Sequence, residues 1–162
     1  MEVNLKAVQL EIPENTNIIF GQSHFIKTVE DISEIVISSV PGAEYGLAFC
    51  EASGPCLVRT EGNADDLIKA ASDNAMAVGA GHTFILLIRK AYPINILNQI
   101  KNCQETASIF AATANPLQAI IYETKQGRGV AGVIDGFSPA GIENSKDRQS
   151  RKEMLRKFGY KF

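Results

Sequence analysis

The chain has 162 residues, of which 45% are hydrophobic and 21% are charged, and its formal net charge is −2. This length and composition are typical of a single globular domain, here spanning residues 1–162. No apolar run reaches the ~18 residues of a membrane-spanning helix, and the amino-terminal stretch mixes charged and apolar residues unlike a signal peptide, so a cytoplasmic protein without a membrane partner is expected.

The amino-terminal half of the chain predicts four strands and two helices. Apolar and polar residues alternate over residues 3–12, which indicates a half-buried strand. Apolar residues at helical spacing indicate the two helices. Thr28 with Asp31 resembles a capping box for the first helix, and Asn63 is expected to cap the second. The remaining boundaries are 17–27, 44–52 and 56–61 for strands, and 28–40 and 63–78 for helices.

The carboxy-terminal half predicts four more strands and two helices. Residues 82–88, HTFILLI, are almost continuously apolar, which is typical of a strand covered on both faces. The other segments are a helix at 93–103, strands at 107–114, 117–123 and 129–135, and a final basic helix that Ser145 is expected to cap. The whole order, ββαββαβαβββα, predicts a single compact α+β domain, in which helices pack on the faces of a mixed β-sheet.

The segment from Lys146 to Lys161 carries seven basic residues and two acidic ones. A basic segment of this kind can bind RNA, and an RNA-binding oligomer is one hypothesis for the chain. No aromatic ladder or nucleic-acid motif accompanies these charges, which favours a solvated helix with its apolar side at Met154, Leu155 and Phe158. Nucleic acid is therefore not the expected partner.

Familiar cofactor motifs are absent from the sequence. Cys50, Cys56 and Cys103 form no C-x-x-C pair and no metal-ligand spacing with the two histidines. The three thiols are expected to be packed as small apolar groups, and no metal ligand set is predicted. GRGVAG, at 127–132, has the letters of a dinucleotide fingerprint, but a strand rather than a helix is expected after it, and no P-loop is present.

The two histidines are the main candidates for chemistry. His82 stands between a glycine-rich turn that includes Gly81 and a buried strand, where a nucleophilic imidazole and a packed structural ring are both consistent with the sequence. Backbone amides of that turn can cradle a phosphate. His24 lies in a polar cluster with Gln22 and Lys27, in which the lysine beside a helix amino terminus indicates either an anion site or a solvated side chain.

Three residues in predicted loops have two interpretations each. Arg128, between Gly127 and Gly129 on a hairpin loop, can bind a phosphate or simply be exposed. Asp135, before a glycine, can be a general base or a turn residue. Asn115, before a proline, can contact a ligand or form a turn.

Five segments in this order resemble the adenosine-specific kinase family, a small family of prokaryotic and largely archaeal proteins. They are GQSHFIKTVED, GLAFCEASG, GHTFILLIRKAYPINILNQIK, IFAATANPLQ and GRGVAGVIDGFSPAGIE, and the similarity runs from about Pro13 to the end of the chain. The resemblance implies binding of adenosine or AMP, phosphate carried on an active-site histidine, and a homo-oligomer built on trimers. It names no phosphate donor, and a divalent ion such as magnesium is the only cofactor considered.

The resemblance also assigns roles to residues of this chain. The phosphorylated histidine is His82 or His24, and His82 is favoured because it lies at the end of a central strand, where a rigid element can position it. Lys27 and Arg128 become phosphate ligands, Asp135 a base for the ribose hydroxyl, and Glu51 and Asn115 contacts to the nucleoside. The alternative is a nucleotide-binding or regulatory protein without turnover.

Overall fold

The computed structural model describes residues 2–162 and contains eight strands and four helices in the predicted order. The strands are β1 (Asn4–Leu10), β2 (Thr16–Ser23), β3 (Glu44–Cys50), β4 (Val58–Gly62), β5 (Thr83–Arg89), β6 (Thr106–Thr113), β7 (Leu117–Glu123) and β8 (Arg128–Asp135). The helices are α1 (Thr28–Ser39), α2 (Asp65–Val78), α3 (Pro93–Asn102) and α4 (Ser145–Lys157). None of these helices is both long enough and apolar enough to cross a membrane.

The predicted α+β class is confirmed, but the eight strands form two sheets rather than one. The large sheet has the order β4-β3-β5-β2-β6, and the small sheet has the order β1-β7-β8. Every strand pair in both sheets is antiparallel. The mixed sheet predicted from the element order is thus an antiparallel five-stranded sheet with a separate three-stranded sheet beside it.

The large sheet is covered on both faces, as the apolar run of β5 predicts. Phe84, Leu86 and Ile88 of β5 belong to one buried cluster, which includes apolar residues of α1 and α3. Ile85 and Leu87 belong to the other cluster, which includes residues of α2 and of the small sheet. The side chains of β5 therefore pack into both clusters, one on each face of the large sheet.

The three predicted helix caps are wrong, and those of α1 and α2 fail in different ways. Thr28 is inside α1, where its hydroxyl donates to the carbonyl oxygen of Phe25 at 2.6 Å, and Lys27 occupies the cap position without a side-chain cap bond. Asn63 lies before α2, but its side-chain oxygen accepts from the backbone N–H of Tyr45 at 2.8 Å. Thr28 therefore bonds to the turn that precedes α1, and Asn63 makes a tertiary contact instead of a local cap.

The carboxy-terminal segment lies on the outside of the domain. α4 has no buried residue. The predicted apolar side does not pack on the rest of the described chain, because Met154 and Phe158 are exposed and Leu155 is only half-buried. Asn144, rather than Ser145, caps this helix by accepting from the backbone N–H groups of residues 146 and 147.

Candidate functional site

A cavity of about 1140 Å³ lies where α2, the β3–β4 connection and the β7–β8 hairpin meet. Its walls include five residues that the sequence analysis selected: Glu51, Gly81, Gly127, Arg128 and Gly129. These residues come from three separate parts of the chain. The fold therefore brings the predicted phosphate loop, one nucleoside contact and the glycine before His82 to one opening between the two sheets.

The glycine-rich turn between α2 and β5 forms one wall of this cavity. Gly79 ends α2 in the left-handed conformation, with φ of 59°, and its N–H donates to Ala75 at 2.8 Å. A Cβ atom at Gly81 would lie 2.8 Å from the Cβ of Ala52. Ala80 forms an isolated bridge with Arg128. The left-handed turn therefore explains the glycine at position 79, and the close packing of the β3–β4 connection explains the glycine at position 81.

Two hydrogen bonds hold Arg128 at the cavity wall and leave part of its guanidinium group for a ligand. Its Nε–H donates to Glu123 at 2.5 Å, and one Nη donates to the carbonyl oxygen of Ala77 at 3.2 Å. Glu123 also pairs with Lys6, and the two cations hold the pKa of this carboxyl below its usual range. The second Nη group of Arg128 has no protein partner among residues 2–162, so it can meet an anion in the cavity.

Glu51 is held as an ionised acceptor on the opposite side of the opening. One carboxylate oxygen accepts from the backbone N–H of Leu57 at 2.9 Å, and the other pairs with Arg59 at 2.8 Å. The Leu57 bond, followed by the Arg59 bond, holds the pKa of Glu51 below its usual range. Each oxygen has a further lone pair, which can accept a hydrogen bond from a hydroxyl or an amino group of a ligand.

His82 sits at the edge of this cavity but not in its wall. Its backbone has a φ of 61°, in the left-handed region, where a residue other than glycine is uncommon. The N–H donates to the carbonyl oxygen of Cys50 at 2.7 Å, and its carbonyl oxygen accepts from Ser23 at 2.9 Å. The half-buried ring stacks on Phe49, with centroids 5.8 Å apart. Phe49 belongs to the core cluster of α1 and α3, so the ring faces away from α2.

His24 and Gln22 lie at the same end of the large sheet as His82. The hydrogen bond from Ser23 to His82 makes the two histidines neighbours in space. His24 is exposed, its N–H donates to the carbonyl oxygen of Glu105 at 3.0 Å, and its ring stacks on the next residue in the chain. Gln22 is paired with Thr83, the residue after His82. The structure thus keeps both histidines as candidates.

Lys27 has an ion-pair partner within its own helix. Its ammonium group pairs with the carboxylate of Asp31, which raises the pKa of the lysine. The predicted anion near this lysine is therefore supplied by the protein. A phosphate that binds at Lys27 has to share the ammonium group with Asp31.

Asp135 and Asn115 lie at the other end of the molecule. Asp135 accepts from Thr113 at 2.8 Å and from the side-chain amide of Asn115 at 3.1 Å, which closes the turns that follow β6 and β8. Thr113 is paired with Ile18, and the opposite end of β2 is bonded to His82. These ends are roughly 17 Å apart at ~3.3 Å per residue, so a single chain does not bring Asp135 to His82.

The structure also brings together a group that the sequence analysis missed. Ligand atoms of Asp31, Cys103 and Glu105 all lie within 4.8 Å of one another. Cys103 and Glu105 are two residues apart between α3 and β6, but Asp31 is far away in the chain, so spacing alone does not predict the group. The expectation of packed thiols holds for Cys50, which is buried, and is wrong for Cys56, which is exposed.

Comparisons with known proteins agree with the resemblance seen in the sequence. A family model described as adenosine specific kinase matches residues 8–161. The crystal structure of the PH1918 protein from Pyrococcus horikoshii is similar, with a TM-score of 0.95 and 41% sequence identity, and the match covers 99% of each chain. No curated protein matches the sequence.

Proposed function

Because the chain belongs to the adenosine specific kinase family, we propose that it binds adenosine or AMP and transfers a phosphoryl group to adenosine through a phosphohistidine. The family description supports a kinase that acts on adenosine. The proposal goes beyond this description in three respects: which histidine carries the phosphate, where the nucleoside binds, and what the phosphate donor is.

The observation that carries the proposal is the cavity whose wall includes Gly81, the residue before His82. The His82 ring stacks on Phe49, so it has to leave this contact to reach a phosphate that Arg128 holds in the cavity. The cavity volume of about 1140 Å³ is enough for a nucleoside monophosphate. Arg128 supplies a guanidinium group with unused donors on one wall, and Glu51 supplies an ionised acceptor on another. A phosphate near Arg128 and a hydroxyl or amino group near Glu51 would therefore satisfy both charges at once.

The proposed transfer has two steps. A ring nitrogen of His82 attacks the phosphorus of the donor, an N–P bond forms, and the P–O bond to the donor's leaving oxygen breaks. The ribose hydroxyl of adenosine then attacks the same phosphorus while the N–P bond breaks. The departing ring nitrogen recovers its lone pair, and the hydroxyl proton passes to water, because in-line attack puts the hydroxyl on the opposite side of the phosphorus from that nitrogen. Asp135 is not used as the base in this scheme. Arg128 would hold the charge of the phosphoryl group, together with a divalent ion such as magnesium.

A second candidate function is nucleotide binding without turnover. A nucleophilic histidine is normally oriented by a hydrogen bond to its other ring nitrogen. Within residues 2–162 the His82 ring has a stacking contact with Phe49 and no side-chain hydrogen bond to the protein. This observation favours a packed ring, so the two functions have to be separated by experiment.

The decisive experiment uses AMP that is radiolabelled in its phosphate. The reverse reaction moves this phosphate from AMP to the histidine, and it therefore needs no knowledge of the natural donor. We expect acid-labile, alkali-stable label on the wild-type protein and on His24→Asn, and none on His82→Asn. The assay is run with magnesium and with a chelator.

Calorimetric binding of adenosine and AMP to each variant completes this test. Binding by all variants together with the absence of label on the wild-type protein would support the second function. Label that persists in His82→Asn and disappears in His24→Asn would move the phosphate to the other histidine.

We also propose that the protein assembles as a homo-oligomer, built on trimers as the family resemblance implies. Two features support assembly: α4 buries none of its residues within the chain, and large apolar side chains of the segment before it are fully open to solvent. An apolar surface of this kind is usually covered by another protein surface.

A further inference from the structure

We propose that Asp31, Cys103 and Glu105 form a binding site for a divalent transition-metal ion, with zinc as the best match. The three residues come from α1, the end of α3 and the start of β6, so the site would join three elements at the end of the large sheet that carries both histidines. A thiolate and two carboxylates are all zinc ligands. The inference does not depend on the proposed phosphotransfer.

Glu105 is the observation that points to a missing ligand. Its side chain is 1% exposed, and neither of its carboxylate oxygens has a hydrogen-bond partner among residues 2–162. A buried carboxylate without a partner is strongly unfavourable, and such groups are normally paired or bound to a metal ion. One carboxylate oxygen of Glu105 lies within 4.8 Å of the two other ligand atoms, so the side chain reaches into the cluster.

The neighbouring cation does not satisfy Glu105. Lys27 is paired with the Oδ2 atom of Asp31, and the Cys103 sulfur is 4.0 Å from the same oxygen. Burial, followed by the nearby Glu105 carboxyl, raises the pKa of the Cys103 thiol to about 11 in the absence of a metal ion. His24, the remaining titratable group beside Glu105, contacts it through backbone atoms.

The mixture of ligands selects the class of metal ion. Magnesium prefers oxygen ligands and octahedral geometry, whereas a thiolate selects softer ions such as zinc. Zinc bonds of ~2.0–2.3 Å place tetrahedral ligand atoms about 3.5 Å apart, so rotations of the three side chains have to close the cluster slightly. Three protein ligands leave one position for water, as in catalytic rather than structural zinc sites.

Metal binding at this site has a proton balance that can be measured. The bond to the metal ion forms at the Cys103 sulfur, and the thiol proton is released to the buffer. Because this proton has to leave the thiol, affinity increases as the pH rises for as long as the thiol is protonated.

The test uses the full-length protein, freed of metal and titrated with cobalt(II) as a spectroscopic substitute for zinc. We expect one equivalent of cobalt to give a thiolate-to-cobalt charge-transfer band, and one equivalent of zinc to bleach it. Cys103→Ser should abolish the band, and Glu105→Gln should weaken binding at least about tenfold. Calorimetry in two buffers should show proton release.

Matched controls separate this site from adventitious binding. Cys56→Ser removes an exposed thiol, and Asp73→Asn removes a surface carboxylate that pairs with Lys69; both should leave the cobalt spectrum unchanged. Circular dichroism establishes that each variant is folded. A wild-type protein with no band, or a band that survives Cys103→Ser, would overturn the metal site. A Glu105→Gln protein that binds metal as tightly as the wild type would overturn Glu105 as a ligand.

Discussion

Glu51 is held from two sides, by a backbone N–H and by Arg59, so its charge faces the cavity in a fixed position. Glu51→Gln keeps the shape of the side chain but loses the charge. We expect adenosine affinity to fall about tenfold, since hydrogen bonds to charged groups are stronger than neutral ones. Calorimetric titration measures the effect, with Glu61→Gln as a control on the exposed side of β4. Equal affinity in the wild type and in Glu51→Gln would remove Glu51 from the binding site.

The lowered pKa of Glu51 also predicts how the stability of the protein depends on pH. Since the folded-state pKa is below the usual value of 4.5, the ionised form contributes to stability above that value, and the contribution is lost as the pH falls through the folded pKa. We expect the stability difference between wild type and Glu51→Gln to be constant near neutral pH and to vanish in acid. Urea unfolding at a series of pH values measures it, and a difference that is independent of pH would contradict the ion pair.

The thiol of Cys103 titrates at unusually high pH because it is partly buried beside Glu105. In metal-free protein we expect its alkylation by iodoacetamide to keep accelerating up to a pH of about 11. Trypsin cleaves after Lys101 and Lys125, so Cys103 is followed in a peptide that contains no other cysteine. Mass spectrometry of this peptide gives the rate. A plateau below pH 9 would show that the thiol is not perturbed.

The surroundings of a single residue could be predicted from the sequence only where they depend on its neighbours in the chain. The position of His82 in a turn and that of Arg128 at the start of β8 follow from neighbouring glycines, and the sequence left both interpretations of each residue open. The neighbourhood of Glu105 could not be predicted, because three ligand atoms meet only after α1, α3 and β6 have packed together. The position of Asp135 relative to the histidines likewise depends on strand pairing.

At the level of the elements, local periodicity was sufficient to predict all twelve helices and strands in order. It did not predict how the strands divide between two sheets. β1 pairs with β7 and β2 with β6, across most of the chain length, and such pairings leave no local pattern. Caps were also mispredicted where tertiary partners took the side chain, as Tyr45 does with Asn63. Local chemistry determined the elements, and long-range packing determined their arrangement.

The contact between α2 and β3 depends on a glycine in the strand. A Cβ atom at Gly46 would lie 2.2 Å from the backbone of α2 at Leu67 and Ile68, where nothing can move without displacing the helix. Gly46→Ala should therefore destabilise the protein by about 3 kcal/mol, the upper range for an overpacked core. Gly132→Ala, with no atom within 4 Å of the added carbon, is the control. Denaturant unfolding gives both values, and equal midpoints would contradict the close packing.

At the scale of the whole molecule, the core is well covered, whereas the carboxy-terminal segment is exposed to solvent. Both faces of the large sheet are covered, whereas residues 136–162 contact little of the rest of the chain. The side chains of Phe137 and Ile142 are 90% and 98% exposed. The sequence indicated a solvated helix with one apolar side, and no surface within residues 2–162 covers that side.

The proposed oligomer gives these side chains a role. Burial of two large apolar side chains contributes about 3 kcal/mol, so Phe137→Ser combined with Ile142→Ser should weaken assembly roughly a hundredfold in the dissociation constant. Size-exclusion chromatography with light scattering should show a trimer for the wild type and smaller species for the double variant at micromolar concentration. Ile37→Ser, which changes an exposed apolar residue of α1, should keep the wild-type mass. A double variant that also keeps this mass would show that assembly does not use the segment. A monomeric wild type would contradict the proposed oligomer.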